Sequence, residues 1–151
     1  MKLIPMEPGH VPACAEMVGR VALFEPYDFG PDDALRSLVR ALVDGGAELT
    51  VAEVDGACVG FSWFVPRGFF DRSGYLRLIV VDPGAQGTGV GRALLSRLEQ
   101  RHLAGRGIAL LAAEHNHDAH RFYERLGYRH VGTLPDYVVP GLAEHIYLKA
   151  G

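Results

Sequence analysis

The sequence predicts an α/β fold: a mixed sheet of about seven strands with four helices on its faces. Three observations predict it. β-rich and helix-periodic segments follow one another in the order β-α-α-β-β-β-α-β-α-β-β. Residues 78–81, "LIVV", are apolar without interruption, as in a strand covered on both faces. Asp55-Gly56 sits between two β-rich runs, a strong signal for an antiparallel hairpin.

Each element has a local reason. "MKLIPME" reads as a short first strand. Residues 9–22 read as a helix, with Pro12 early in it, where proline is tolerated. "FEPYDFGP" is a loop rich in aromatics and acids. Residues 31–46 combine a Pro-Asp-Asp start with a Gly-Gly stop, and Leu35, Leu38, Val39 and Leu42 share a helical face. Residues 47–65 form the hairpin around Asp55-Gly56, and 74–82 the fourth strand. A helix is expected over 86–105, with Val90, Leu94 and Leu98 along one side. Residues 106–115 are the fifth strand. Residues 116–127 are a helix with Asn116 as N-cap and Gly127 as its stop. "YRHVGTLPDY" and "AEHIYLKA" close the sheet. No linker, repeat or low-complexity segment interrupts this, so one domain over 1–151 is expected.

Composition narrows the function classes. A net charge of -3 argues against a general nucleic-acid binder, which needs many cations facing phosphates. No apolar run approaches the roughly 18 residues of a membrane span, and residues 1–10 lack the apolar core of a secretory signal. Cys14 and Cys58 lie far apart and share no metal-type spacing, so each is expected to be a free thiol. A cytosolic location is the expectation.

The chemistry is concentrated in "VVDPGAQGTGVGRAL", residues 80–94, where glycines occupy 84, 87, 89 and 91. A P-loop is excluded because no Gly-Lys-Ser/Thr occurs. A Rossmann fingerprint fails in both registers: its last glycine would fall on Arg92 or Leu94. The pattern Gln86-x-x-Gly89-x-Gly91 at a helix start does fit an anion cradle. The first helical turn leaves N–H groups unpaired, the helix dipole adds positive charge, and glycines keep Cβ atoms out of the way. The amides of Gly87, Thr88, Gly89, Val90, Gly91 and Arg92 would then hold a pyrophosphate.

A second segment, Asn116-x-x-Ala119-x-x-Phe122-Tyr123-Glu124-x-x-Gly127-Tyr128, follows the fifth strand. Together with Ile79-Val80-Val81-Asp82-Pro83 and the glycine pattern it resembles the GNAT family of N-acetyltransferases, and the order of elements matches along essentially the whole chain. The resemblance implies a mostly antiparallel sheet in which strands four and five splay apart. It implies acetyl-CoA as cosubstrate, with no metal, and a primary amine of a small molecule or protein as acceptor. The amine would attack the thioester directly, through a tetrahedral intermediate. Main-chain groups of Ile79, Val80 and Val81 would pair with the pantetheine arm, the Val81 amide would polarise the thioester carbonyl, and Asn116 would lie beside the arm. Tyr123 would be the general acid for the leaving thiolate. A homodimer is common in the family and is expected here.

The resemblance leaves a gap. Many members carry a carboxylate on the fourth strand as general base; here Tyr75 and Arg77 occupy those positions. Glu114 is the first substitute, ahead of Asp71, Asp136 and the acids of residues 24–33, with a water relay as the alternative. A non-catalytic CoA-binding sensor and a transferase for another acyl-CoA are the rival readings. His117 and His120 at i, i+3 invite a zinc site, but no carboxylate at metal spacing completes one. The acceptor channel is expected from Phe24, Tyr27, Asp28, Phe29 and "PRGFFDRSG", with Tyr137 and residues 139–142 at its border. Polyamine, aminoglycoside, amino acid and protein N-terminus all stay open as acceptors.

Overall fold

The computed structural model describes every residue from Met1 to Gly151. Seven strands form one sheet: β1 (Lys2–Pro5), β2 (Glu48–Val54), β3 (Ala57–Phe69), β4 (Ser73–Val81), β5 (Ile108–Ala113), β6 (Arg129–Leu134) and β7 (Glu144–Lys149). Their spatial order is β1-β2-β3-β4-β5-β7-β6. All neighbours are antiparallel except β4 and β5. Four helices cover the sheet: α1 (Val11–Arg20), α2 (Pro31–Asp44), α3 (Val90–His102) and α4 (His117–Arg125).

Two cores lie on opposite faces. α1 and α2 bury Val11, Cys14, Met17, Val18 and Leu38 against Val51, Phe61, Trp63 and Val80. α3 and α4 bury Leu95, Leu98 and Tyr123 against Phe64, Leu76, Ile108, Leu110 and Tyr147. Val80 faces the first core, whereas Ile79 and Val81 pack toward α3. β4 is thus covered on both sides, as its apolar run predicts. The expected hairpin is present, with Asp55 at φ 51° and Gly56 at φ 79°, the paired left-handed residues of a type I′ turn.

Several local expectations shift. The segment after α1 is a 3-10 helix over Ala22–Tyr27 rather than an open loop, and it buries Phe24. α2 turns further than its sequence pattern suggests. Ala34, Leu38 and Ala41 are buried, while Leu35 and Val39 face solvent. Small alanines let α2 lie close to α1, and this outweighs the larger residues next to them. α3 begins at Val90, not Gln86, because Gly87 and Gly89 are left-handed and cannot continue a helix. The sulfurs of Cys14 and Cys58 meet at 3.7 Å as free thiols, a contact hidden by their 44-residue separation.

Candidate active site

The site begins where β4 and β5 part. They pair only from Gly74–Leu76 against Ile108–Leu110. Beyond that point β4 stays on β3 and β5 stays on β7, so the sheet opens like a V. The Asp82 N–H bonds the Val59 carbonyl at 2.9 Å. Alternation along a strand sends the Val80 amide the same way, toward β3, and turns the main-chain groups of Ile79 and Val81 into the gap. The gap therefore exposes an unpaired strand edge in the middle of a sheet.

The β4–α3 turn pairs its own amides, and the row of free donors resumes after it. A 3-10 turn at Pro83–Ala85 is capped by Asp82, whose carboxylate accepts from the Gly84 amide at 3.1 Å. Arg20 binds the same carboxylate at 2.6 Å, and this contact holds Asp82 below the ordinary carboxylate range. The amides of Gly87, Gly89, Val90, Gly91 and Arg92 have no acceptor within the chain. That of Thr88 reaches the Ala85 carbonyl at 3.4 Å. No neighbour lies within 4 Å of where a Cβ would stand at Gly87 or Gly89, whereas one at Gly91 would reach Phe122 and Val81 at 3.6 Å. Two glycines thus face open space, and at the third a Cβ would make ordinary van der Waals contact.

Between the diverging strands is a cleft of about 420 Å³. Its walls come from Leu23, Phe24, Tyr27 and Phe29, from β4 (Tyr75 to Ile79), and from β5 (Leu111 to Ala113). α4 contributes Asn116, Ala119 and Tyr123, and Val138 and Glu144 complete the lining. Asn116 caps α4, accepting from the Ala119 amide at 3.1 Å. Tyr123 is 7 % exposed. Burial raises its phenol above the ordinary range, so it stays protonated at neutral pH. Its hydroxyl has no partner in the chain and is not sealed in the core, so what it meets is the cleft.

The structure brings Ile79, Asn116 and Tyr123 into one cleft, with the amides of residues 87–92 at the start of α3. Glu114 is exposed past the end of β5 and does not line it. Asp71 pairs with Arg67, and Asp136 accepts from the Gly141 amide at 2.6 Å; both lie outside the lining. Phe24, Tyr27 and Phe29 line the cleft as expected, but Asp28 is exposed. The "PRGFFDRSG" hairpin belongs to a different pocket, against Arg106 and Gly107. Tyr137 points to solvent, and Val138 takes the wall position. His120 stacks on His145, and His145 on His130, in a column on the α4 side of β7.

Sequence reasoning missed Glu144. It is 3 % exposed, lines the cleft, and accepts from the Tyr27 hydroxyl at 2.7 Å. One acid at a strand start, 21 residues beyond Tyr123, gives no spacing signal.

Comparison with known proteins agrees with this architecture. The family model for the acetyltransferase (GNAT) family matches residues 16–128. A mycothiol acetyltransferase from Thermomonospora curvata is 40% identical over 85 residues, which is 54% of this chain and 28% of that protein. A blasticidin-S acetyltransferase from Streptomyces morookaense is 37% identical over 76 residues, 50% of this chain and 55% of that protein. The chain thus spans about half or less of the length of these relatives. An aminoglycoside 6'-N-acetyltransferase solved with coenzyme A superposes with a TM-score of 0.74 at 20% identity, covering 99% of this chain and 96% of that one. A family model matched over most of the chain, on a sheet that splits between β4 and β5, is decisive: the chain belongs to the acetyltransferase (GNAT) family.

Proposed function

We propose that the protein is an acetyl-CoA-dependent N-acetyltransferase acting on the primary amine of a small molecule. One observation carries the reading: main-chain donors stand unpaired at the open edge of β4 and again, beyond the intervening turn, at the first turn of α3. Such an arrangement suits an extended arm ending in a diphosphate. The arm adds to the strand edge at Ile79 and Val81. The diphosphate meets the bare amides of Gly87 and Gly89 to Arg92, at the positive end of the helix dipole. Acetyl-CoA supplies the activated acyl group. Small-molecule acceptors fit a cleft of this size, and the related blasticidin-S acetyltransferase is named for one.

The chain's own groups then divide the work. The Val81 amide faces the gap and polarises a carbonyl placed there. Tyr123, kept neutral by burial, donates its proton to the departing sulfur. Asn116 fixes the start of α4 and lines the arm's path. An alkyl ammonium with a pKa near 10.4 must lose a proton before it can attack.

The test is thiol release from acetyl-CoA against a panel of amines. Turnover with at least one amine is expected. Normal CoA affinity with no turnover across the panel would replace the enzyme with a CoA-binding sensor. Propionyl- and succinyl-CoA run alongside decide the acyl group; the expected preference is acetyl.

A further inference from the structure

Glu144 is a carboxylate enclosed by protein and held in no ion pair. It is 3 % exposed and takes part in none of the chain's ion pairs. Tyr27 satisfies Oε2 at 2.7 Å. Oε1 has no partner in the chain, yet it is not among the sealed, unpartnered atoms, so it opens into the cleft. Burying an unpaired carboxylate is costly, and a cationic ligand removes the cost. The rest of the lining is mostly apolar, with Leu23, Phe24, Phe29, Leu78 and Val138 beside Tyr75. Arg77, the only other formally charged lining residue, lies over the Trp63 ring at 4.2 Å and forms no ion pair with Glu144.

Resting on the transferase reading above, we propose that Glu144 binds the ammonium of the acceptor and takes its first proton, and that the acceptor is a monocationic primary amine with an apolar or aromatic body. The Glu144 carboxylate receives one N–H proton and later passes it to water. The nitrogen lone pair forms the C–N bond at the thioester carbon, and the C–S bond breaks. The sulfur takes the Tyr123 proton, and the second N–H proton returns to the phenolate. Tyr27 from the segment after α1 and Tyr75 from β4 face Glu144; Arg77 from β4 and Tyr123 from α4 line the same cleft, and Tyr137 lies near Tyr75 at its border. Burial raises the phenols of Tyr27, Tyr75 and Tyr123, so none of the three competes as a base at neutral pH. A polycation would set its surplus charge against Arg77 in the same cleft.

The experiment uses 2-phenylethylamine, 2-phenylethanol and spermidine as probes. With free CoA present, wild type should bind 2-phenylethylamine about 10–100-fold more tightly than 2-phenylethanol. Glu144→Gln, which keeps the Tyr27 contact, should erase that difference while leaving acetyl-CoA affinity intact and the melting temperature equal to or above that of wild type. Its kcat/KM for 2-phenylethylamine at pH 7 should fall about 10²–10⁴-fold. The loss should shrink by about tenfold per pH unit as the free amine grows. Glu144→Asp should keep the wild-type shape of the profile at a lower rate, which serves if the Gln variant does not fold. Spermidine should be the poorer substrate by at least about tenfold. A wild-type rate and profile in Glu144→Gln would overturn the proposal, as would the hydroxide-dependent profile appearing in Glu114→Gln instead. A preference for spermidine would overturn the substrate class. If no amine releases thiol from wild type, the transfer reading falls separately, and the two binding measurements still decide the ammonium site.

Discussion

Tyr123 carries a hydroxyl that the fold does not use. It is enclosed by Phe122, Tyr128 and Tyr147 at ring distances of 5.2, 5.7 and 6.2 Å, yet the oxygen itself has no partner in the chain. Removing an oxygen that forms no bond costs the fold nothing, so Tyr123→Phe separates chemistry from stability. The expected outcome is a kcat reduced about 10²-fold or more, with melting temperature and acetyl-CoA affinity unchanged. Stopped-flow thiol release and calorimetry on the same preparation check it; an unchanged kcat removes Tyr123 from the acid role. Tyr123 and Asn116 stand out in the sequence because the segment after the fifth strand that carries them resembles the family's motif, and Asn116 caps α4 as its position predicts. Glu144 does not. Along a strand, a single acid looks like any solvent-facing residue, and only the parting of β4 from β5 turns its side into an enclosed cleft.

At the scale of elements, the donor row depends on how closely α3 meets the sheet. Gly60 in β3 sets that distance: a Cβ there would stand 2.8 Å from a Val90 methyl and 2.9 Å from the Val80 carbonyl. Gly60→Ala should therefore push back the first turn of α3, although Gly60 binds nothing itself. About 1–3 kcal/mol of stability should be lost to overpacking, and acetyl-CoA affinity should fall with it; denaturant unfolding and calorimetry measure the two. Affinity that survives the loss of stability would show that the cradle tolerates displacement. Sequence placed the start of this helix four residues early. Glycine marks a turn readily but does not say which glycines are left-handed, and here Gly87 and Gly89 delay the helix to Val90.

A second element-scale consequence lies where α4 meets β7. His145 is held below the ordinary imidazole value of 6.5 by burial, with His130 and His120 stacked at 4.1 and 4.6 Å adding to the effect. The unfolded chain therefore takes up this proton before the folded one does. Stability should be complete above about pH 6.5 and decline as the pH falls below it, toward the depressed folded value. Melting curves from pH 8 to pH 5 check this, and His145→Phe should flatten the decline. An equal slope in that variant would assign the acid sensitivity elsewhere.

The whole molecule consists of two half-sheets, β1 to β4 and β5, β7 and β6, joined by three residue pairs between β4 and β5 and by the core under α3 and α4. Sequence order alone shows that strands and helices alternate, but not where the sheet divides, because the break is in pairing partners rather than residue type. A ligand lying along the β4 edge restores the missing partner and ties the halves together. At a hundredfold excess over its dissociation constant, acetyl-CoA should stabilise the fold by about 2.7 kcal/mol. For a chain of this length that is a melting shift of about 5–10 °C. The same binding should slow hydrogen exchange at Ile79 and Val81, whose amides face the gap, and at Gly87 and Gly89 to Arg92, whose amides have no acceptor in the free chain. Val80, already directed to β3, should change little. Protection spread evenly over β4 would mean general tightening of the sheet rather than an added strand. A thermal shift without protection at residues 87–92 would move the diphosphate away from the start of α3.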